Sequence, residues 1–435
     1  MSIGAGRAEI ARYKNTTGAC SYAAFHQSFH AYLTNPARLA RRRIKVHSSK
    51  RDSQRISICS DLGRNSLLNR EEDMKKSLVA LALFGAFAAT AQAQSSVQIY
   101  GTIDAGLGKA TGSTTAVTKR DNNKLGFKGT EDLGNGLKAI FQLEIRYESD
   151  TGTVENTSGA NSRPLFQGQS RVGLQGDFGT VRLGRGLTAY QEVSTSFEPW
   201  SGMPTPAGFQ TDLTVAGYTS DPLSAPGNSR NRFSNAVFYN TPVFNGFQLN
   251  ATVAAKEANN NSAVPARAPG NSVTFASGNR AVAANVAPTS TPYSISATYT
   301  STGFAAMAAY ERNGLQAKLW SVAASVNPIP ELKVMLSIQH QKDDDFKIIN
   351  TGTKSWVLGA NYDVGPGKIR AGYGQKTPDG VVKTKQASLG YDYNLSKRTY
   401  VYADISNKKA AVADSINYNV AKSVNYVGIG VHHNF

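Results

Sequence analysis

Cysteine is nearly missing from this chain. Of 435 residues two are cysteine, Cys20 and Cys59, and both lie in the first 73 positions. From Gln94 onward no disulfide, thiol nucleophile or cysteine-held zinc is available. Histidine is also scarce there, with only His340, His432 and His433. An acid/base or nucleophile-activating machinery built on imidazole has little to work with. The last two histidines stand next to each other beside no Ser/Asp partner, so they read as ordinary strand residues, and no catalytic or metal-ligating set emerges. Long apolar runs are missing too. The longest, Leu78 to Ala89, is too short for a helical membrane span, which needs ~20 residues.

That run belongs to "MKKSLVALALFGAFAATAQAQ" (Met74 to Gln94). Lys75 and Lys76 precede the apolar stretch, and Ala91-Gln92-Ala93 supplies small residues for cleavage. This is the three-part build of a secretory signal peptide. The expected division is therefore an upstream extension over 1–73, which reads as sequence ahead of the true start at Met74, a signal over 74–93, and an exported chain over 94–435. The extension holds "RLARRRIKV" (Arg38 to Val46), which could be read as a nucleic-acid arm. It and the signal together carry 15 of the 47 basic residues and 6 of the 30 acidic ones. The remainder has 32 basic and 24 acidic residues, a modest +8, and no nucleic-acid partner is expected of it.

What the exported chain does have is a period of two. In "LKAIFQLEIRY" (Leu137 to Tyr147), Leu137, Ala139, Phe141, Leu143, Ile145 and Tyr147 share one face. Lys138, Gln142, Glu144 and Arg146 share the other, with Ile140 as the exception. Alternate side chains point to opposite faces of a strand, so this is a ribbon with one apolar and one polar face. "FQLNATVAA" (Phe247 to Ala255), "YSISATY" (Tyr293 to Tyr299) and "VGIGVHHNF" (Val427 to Phe435) repeat the pattern. Seven short turn signals alternate with longer polar loops, of which Gly186 to Ser229 and Lys256 to Pro292 are the largest. That count gives sixteen up-and-down strands.

A sandwich turns its apolar faces inward and has no reason to keep all its short turns on one side. A barrel in lipid turns them outward, keeps a polar lumen, and uses closure to satisfy every backbone group. Tyrosines at strand ends, among them Tyr100, Tyr147, Tyr239, Tyr293 and Tyr391, suit aromatic girdles. The expected fold is all-β: a 16-stranded antiparallel transmembrane β-barrel.

Five stretches then carry a resemblance: "SSVQIYGTIDAGLG" (Ser95 to Gly108), "LGFKGTEDLGNGLKAIFQLE" (Leu125 to Glu144), "GLQGDFGTVRLGR" (Gly173 to Arg185), "NAVFYNTPVFNGF" (Asn235 to Phe247) and the terminal "VGIGVHHNF". The chain resembles the general porins of Gram-negative outer membranes, of the betaproteobacterial and neisserial type. The resemblance implies passive diffusion of small hydrophilic solutes and ions without a cofactor, a homotrimer in outer-membrane lipid, and a terminal Phe435 that serves the barrel-assembly machinery as a signal. It further implies that the loop after "RLGR" folds into the lumen as a constriction. In this chain that loop is Gly186 to Ser229, with Glu192, Glu198, Asp212 and Asp221 as its carboxylates.

The family faces such a loop with a basic wall. Parity nominates its members here. Val172 and Leu174 outward put Arg171 inward; Val181 and Leu183 do the same for Arg182; Val237 and Tyr239 for Arg232; Leu125 and Phe127 for Lys124 and Lys128. Lys138 and Arg146 follow from the strand already described. Two positions depart from the family: Lys124 stands where arginine is common, which loses the planar fork, and Gly168 stands where an arginine often precedes "VGL", a place Arg171 can fill. Opposed basic and acidic groups across a narrow ring imply a weak to moderate preference for small anions. The rival readings are a solute-specific channel for phosphate or sugar, a barrel enzyme, and a barrel that only anchors surface loops.

Overall fold

The computed structural model describes residues 95–155, 164–224, 231–256, 288–342, 352–379, 382–411 and 421–435. The expected extension over 1–73 and the expected signal over 74–93 lie outside the described residues. Among the described residues, seventeen strands form one antiparallel sheet. They are β1 (Ser96–Ala110), β2 (Ala116–Thr118), β3 (Lys124–Gly134), β4 (Leu137–Arg146), β5 (Gln169–Gly176), β6 (Gly179–Leu187), β7 (Arg232–Asn240), β8 (Phe247–Ala254) and β9 (Tyr293–Ser301). The series continues with β10 (Phe304–Arg312), β11 (Lys318–Ile329), β12 (Leu332–Lys342), β13 (Gly352–Val364), β14 (Gly367–Pro378), β15 (Thr384–Asn394), β16 (Thr399–Ala411) and β17 (Ala421–Asn434). Strand β2 is a three-residue addition that pairs with β1 at Gly106–Gly108. The other sixteen close a barrel.

Closure is made by β1, which pairs with β3 through Ser96–Thr102 and with β17 through Thr102–Ala110. The last residue completes the seam: Gly101 and Phe435 exchange backbone N–H···O bonds of 3.1 and 3.2 Å. All seven short turns expected from the sequence are present, at the β3–β4, β5–β6, β7–β8, β9–β10, β11–β12, β13–β14 and β15–β16 joins. The first is the tightest in chemistry. Gly134, Asn135 and Gly136 all have positive φ (86°, 51° and 76°), a conformation that glycine and asparagine tolerate best.

Burial is inverted relative to a soluble domain. Large apolar side chains stand exposed on the outer face, Val172 at 58% and Leu183 at 52% among them. Polar side chains on the inner face are buried, including Asn250, Ser296, Ser321, Gln339, Ser355 and Gln386. Exposed apolar positions that alternate along nearly every strand of a closed sheet are favourable only where lipid covers them. No helix among the described residues is long and apolar enough to cross a membrane, so the crossing is made by strands.

Among the described residues, conventional core is found inside the barrel, much of it where the segment after β6 folds inward. It begins with a short helix α1 (Ala189–Ser194) and a 3-10 turn (Thr195–Phe197). Thr188 caps α1 by accepting the Gln191 N–H. Beyond it Trp200, Phe209 and Leu213 are fully buried against Val357. Each such side chain contributes about 1.5–3 kcal/mol on burial. Glycines on the inner face of the wall make room for them. A β-carbon at Gly372 would stand 2.5 Å from Phe209 Cε2, and one at Gly374 would stand 2.6 Å from Leu213 Cδ2. Gly372→Val is expected to displace the loop at a cost of roughly 1–3 kcal/mol, seen as a lower single-channel conductance from a barrel that still assembles. Unchanged conductance would show that the loop accommodates the methyl groups.

Candidate pore constriction

The lumen segment crosses from β6 to the opposite wall and is held at several points along its described length. At its start, Tyr190 N–H donates to Ser294 Oγ (3.0 Å), Ser296 Oγ donates to the Ala189 carbonyl (3.0 Å), and Thr188 Oγ1 donates to Glu311 Oε2 (2.6 Å). These three bonds fix the helix against β9 and β10. They turn Glu192 toward the other wall.

There Glu192 meets the basic side chains. Arg171 Nη1 lies 2.8 Å from Glu192 Oε1, and Arg182 Nη2 lies 3.3 Å from Oε2. Arg171 also donates from Nε and Nη2 to Gln142 Oε1 (3.1 and 2.9 Å), and Arg182 donates to Asn240 Oδ1. The Phe238 ring lies close to both guanidinium groups, 5.9 and 5.8 Å from their carbons. A cavity of about 500 Å³ opens beside this cluster toward the short turns, lined by Lys128, Gln142, Arg171, Arg182, Glu192 and Asn240 among others.

The register separates the basic residues into two tiers. Lys128 pairs with Gln142, and Gln142 with Arg171, so these stand at the level of Glu192. Lys124 pairs with Arg146, four residues further along β4, or about 13 Å toward the long loops. Arg146 Nε lies 3.4 Å from Glu144 Oε1. Arg232 is in the upper tier as well. Its side chain is 2% exposed and donates to the Gly168 carbonyl (2.6 Å) and to Asn231 Oδ1 (2.6 Å), away from Glu192. A break in pairing register near Gly184–Gly186, with Asn235 at φ 51°, interrupts strict alternation in β7 and buries both Arg232 and Phe233. Arg171, Arg182 and Glu192 are thus brought together, whereas Lys124, Arg146 and Arg232 form a separate group.

The other loop carboxylates are buried. Glu198, 1% exposed, accepts the Gly202 and Phe209 N–H groups at 2.9 Å each, so it ties the loop to itself. Burial pushes its carboxyl above the usual range, and the backbone donors only partly oppose that. Asp212, also 1% exposed, pairs with Lys376 and with Lys408, the latter at 2.7 Å. Burial alone would raise its carboxyl, but the two ammonium groups more than reverse this and hold it below the usual carboxylate range. Glu192, in contrast, keeps a fifth of its side chain exposed.

Sequence reasoning did not single out Lys376, Lys408, Asp392, Asp404 or Arg120. The four strand residues were readable by the same parity, since Tyr373, Tyr391, Tyr393 and Ile405 face outward on the same strands. Arg120 lies between β2 and β3 with no period to reveal it.

A closed barrel with an apolar exterior, a polar lumen and an inward loop facing basic residues defines a water-filled outer-membrane channel. The chain belongs to the Gram-negative porin family, which residues 77–411 match. It is similar to outer membrane porin protein 32 of Delftia acidovorans, at 33% identity over 374 residues, covering 82% of this chain and 95% of that one. An outer membrane porin protein of Bordetella pertussis is 27% identical over 415 residues, covering 83% and 100%. Among solved structures, the anion-selective porin from Comamonas acidovorans superimposes with a TM-score of 0.61 at 26% identity, covering 78% of this chain and 100% of that one. The protein is an outer-membrane porin of a Gram-negative bacterium, and its relatives are channels rather than enzymes.

Proposed function

We propose that this porin lets small anions through in preference to cations. The observation that carries the reading is the convergence of Arg171 and Arg182, with Lys128 alongside, on an inward helix that offers one partly exposed carboxylate, Glu192. Two guanidinium groups outweigh that carboxylate. Charge at the narrowest part of a pore sets which ions pass. The upper tier of Lys124, Arg146 and Arg232 adds positive potential on the long-loop side. The description of the Comamonas relative as anion-selective supports the same direction. In this reading Glu198 and Asp212 shape the constriction from behind rather than line it.

The test is the zero-current potential of the purified porin in a planar bilayer under a tenfold KCl gradient. A potential of the sign carried by chloride is expected, and a cation-biased potential would overturn the proposal. A homotrimer and the role of Phe435 in assembly belong to the same reading. OmpT of Vibrio cholerae, a neighbour in fold at 14% identity, has been solved in a trimer form. Light scattering of the purified porin checks the trimer here, and conductance steps that arrive in threes would accompany it.

A further inference from the structure

We propose that Arg120 plugs a second ion path through this barrel, an acidic gap between the inward loop and the wall formed by β14, β15, β16, β17 and β1. The inference rests on the porin reading and concerns residues remote from Glu192.

Four carboxylates converge on that wall. Asp104 of β1, Asp392 of β15 and Asp404 of β16 are 0, 3 and 1% exposed, and Asp121 lies beside His432 at 3.4 Å. Two guanidinium groups face them. Arg370 Nε pairs with Asp392 Oδ2 at 2.9 Å. Arg120 reaches in from the link between β2 and β3. It pairs with Asp392 Oδ1, places Nε 3.1 Å from Asp404 Oδ2, and lies over the Tyr402 ring at 4.7 Å. Its own backbone N–H donates to Asp104 Oδ1 at 2.7 Å, an oxygen that also accepts the Tyr402 hydroxyl at 2.8 Å. With its side chain fully buried, Arg120 fills the space between Asp392 and Asp404, beside Asp104.

The inward loop is fastened to this wall through the partners of Arg120. Trp200 Nε1 donates to Asp404 Oδ1 at 3.1 Å, and Arg370 donates to the Pro199 carbonyl. Removing the guanidinium leaves Asp392 to Arg370 alone and Asp404 without its ion-pair partner in a buried site, which is strongly unfavourable. The relief open to them is water, admitted as Pro199 and Trp200 lift from the wall. The space so formed is lined by carboxylates and carries cations. While Arg120 is in place, current is confined to the side of Arg171 and Arg182. Arg120 is therefore a specificity-determining residue that never touches the permeating ion.

The experiment compares wild type with Arg120→Gln in the same bilayers. Arg120→Gln is expected to raise single-channel conductance and to lower the anion-to-cation permeability ratio by about threefold, the effect of one unit charge a few ångströms from the ion in water. Arg120→Lys, which keeps the charge, is expected to return the ratio toward wild type. Assembled Arg120→Gln barrels with wild-type conductance and ratio would overturn the plug. A cation-biased wild type would instead overturn the anion preference, while the change between wild type and variant would still decide on Arg120. If Arg120→Gln fails to assemble, R120Q/D404N removes one buried charge of each sign. Conductance above wild type then supports the plug, and conductance equal to it refutes the plug.

Discussion

Replacing Arg171 and Arg182 together by glutamine is expected to turn the pore from anion-preferring to cation-preferring. Both guanidinium groups lie within 3.3 Å of Glu192, so the double variant removes two positive charges and leaves that carboxylate without a counterion. A unit charge ~6 Å from an ion in water is worth about 0.7 kcal/mol, or roughly threefold in local ion population. The net change of two unit charges, each worth roughly threefold before screening at working salt, amounts to about tenfold in the permeability ratio. Glu192→Gln alone should move the ratio in the opposite direction. Zero-current potentials in a KCl gradient measure both. If the double variant keeps the wild-type potential, selection resides in the upper tier of Lys124, Arg146 and Arg232.

The second large effect is expected at Asp212, whose carboxylate lies between Lys376 and Lys408. Asp212→Asn preserves shape but leaves two buried ammonium groups facing each other. Breaking a buried ion pair from one side costs about 3–5 kcal/mol. Most of that should appear as a detached loop, because the barrel wall keeps its backbone pairing. Frequent closures in single-channel records and a shifted emission from Trp200 would report it. The wild type should show the same behaviour in acid. Because Asp212 is held below the ordinary carboxylate value, its contribution is complete above about pH 4–5 and disappears as pH falls through the lowered value. Glu198 works in the other sense. Burial raises its carboxyl, so the neutral form suits the folded loop, and ionisation on raising the pH weakens it. Quiet channels in Asp212→Asn at pH 7 would remove Asp212 as the anchor.

Much of this molecule was legible because lipid enforces alternation. In β5 and β6 the outward residues Val172 and Leu183 are unambiguous, and the inward direction of Arg171 and Arg182 follows from them. The seven short turns could be read for the same reason, since each interrupts a run of period two. Legibility ended where periodicity did. Glu198 and Asp212 lie in a segment with no repeat, and nothing local distinguishes a carboxylate that faces water from one that meets lysines of β14 and β16. The irregular pairing in β7 is a milder case: alternation gives Arg232 an inward direction, yet the contact it makes is with Gly168 rather than with the inward helix. Arg120 is the extreme one, because the carboxylates its guanidinium meets lie more than two hundred residues away.

The opening described here has two unlike sides. One is made of side chains standing on β4, β5 and β6, whose backbones are paired on both edges. The other is a single unpaired segment held by a few buried contacts at Thr188, Trp200 and Asp212. For anyone adapting the barrel as a sensor, charge and width can therefore be set separately. Substitutions on the strands retune which ions enter without moving the frame. Substitutions at the anchors, or at the glycines beneath them, change how large an analyte fits.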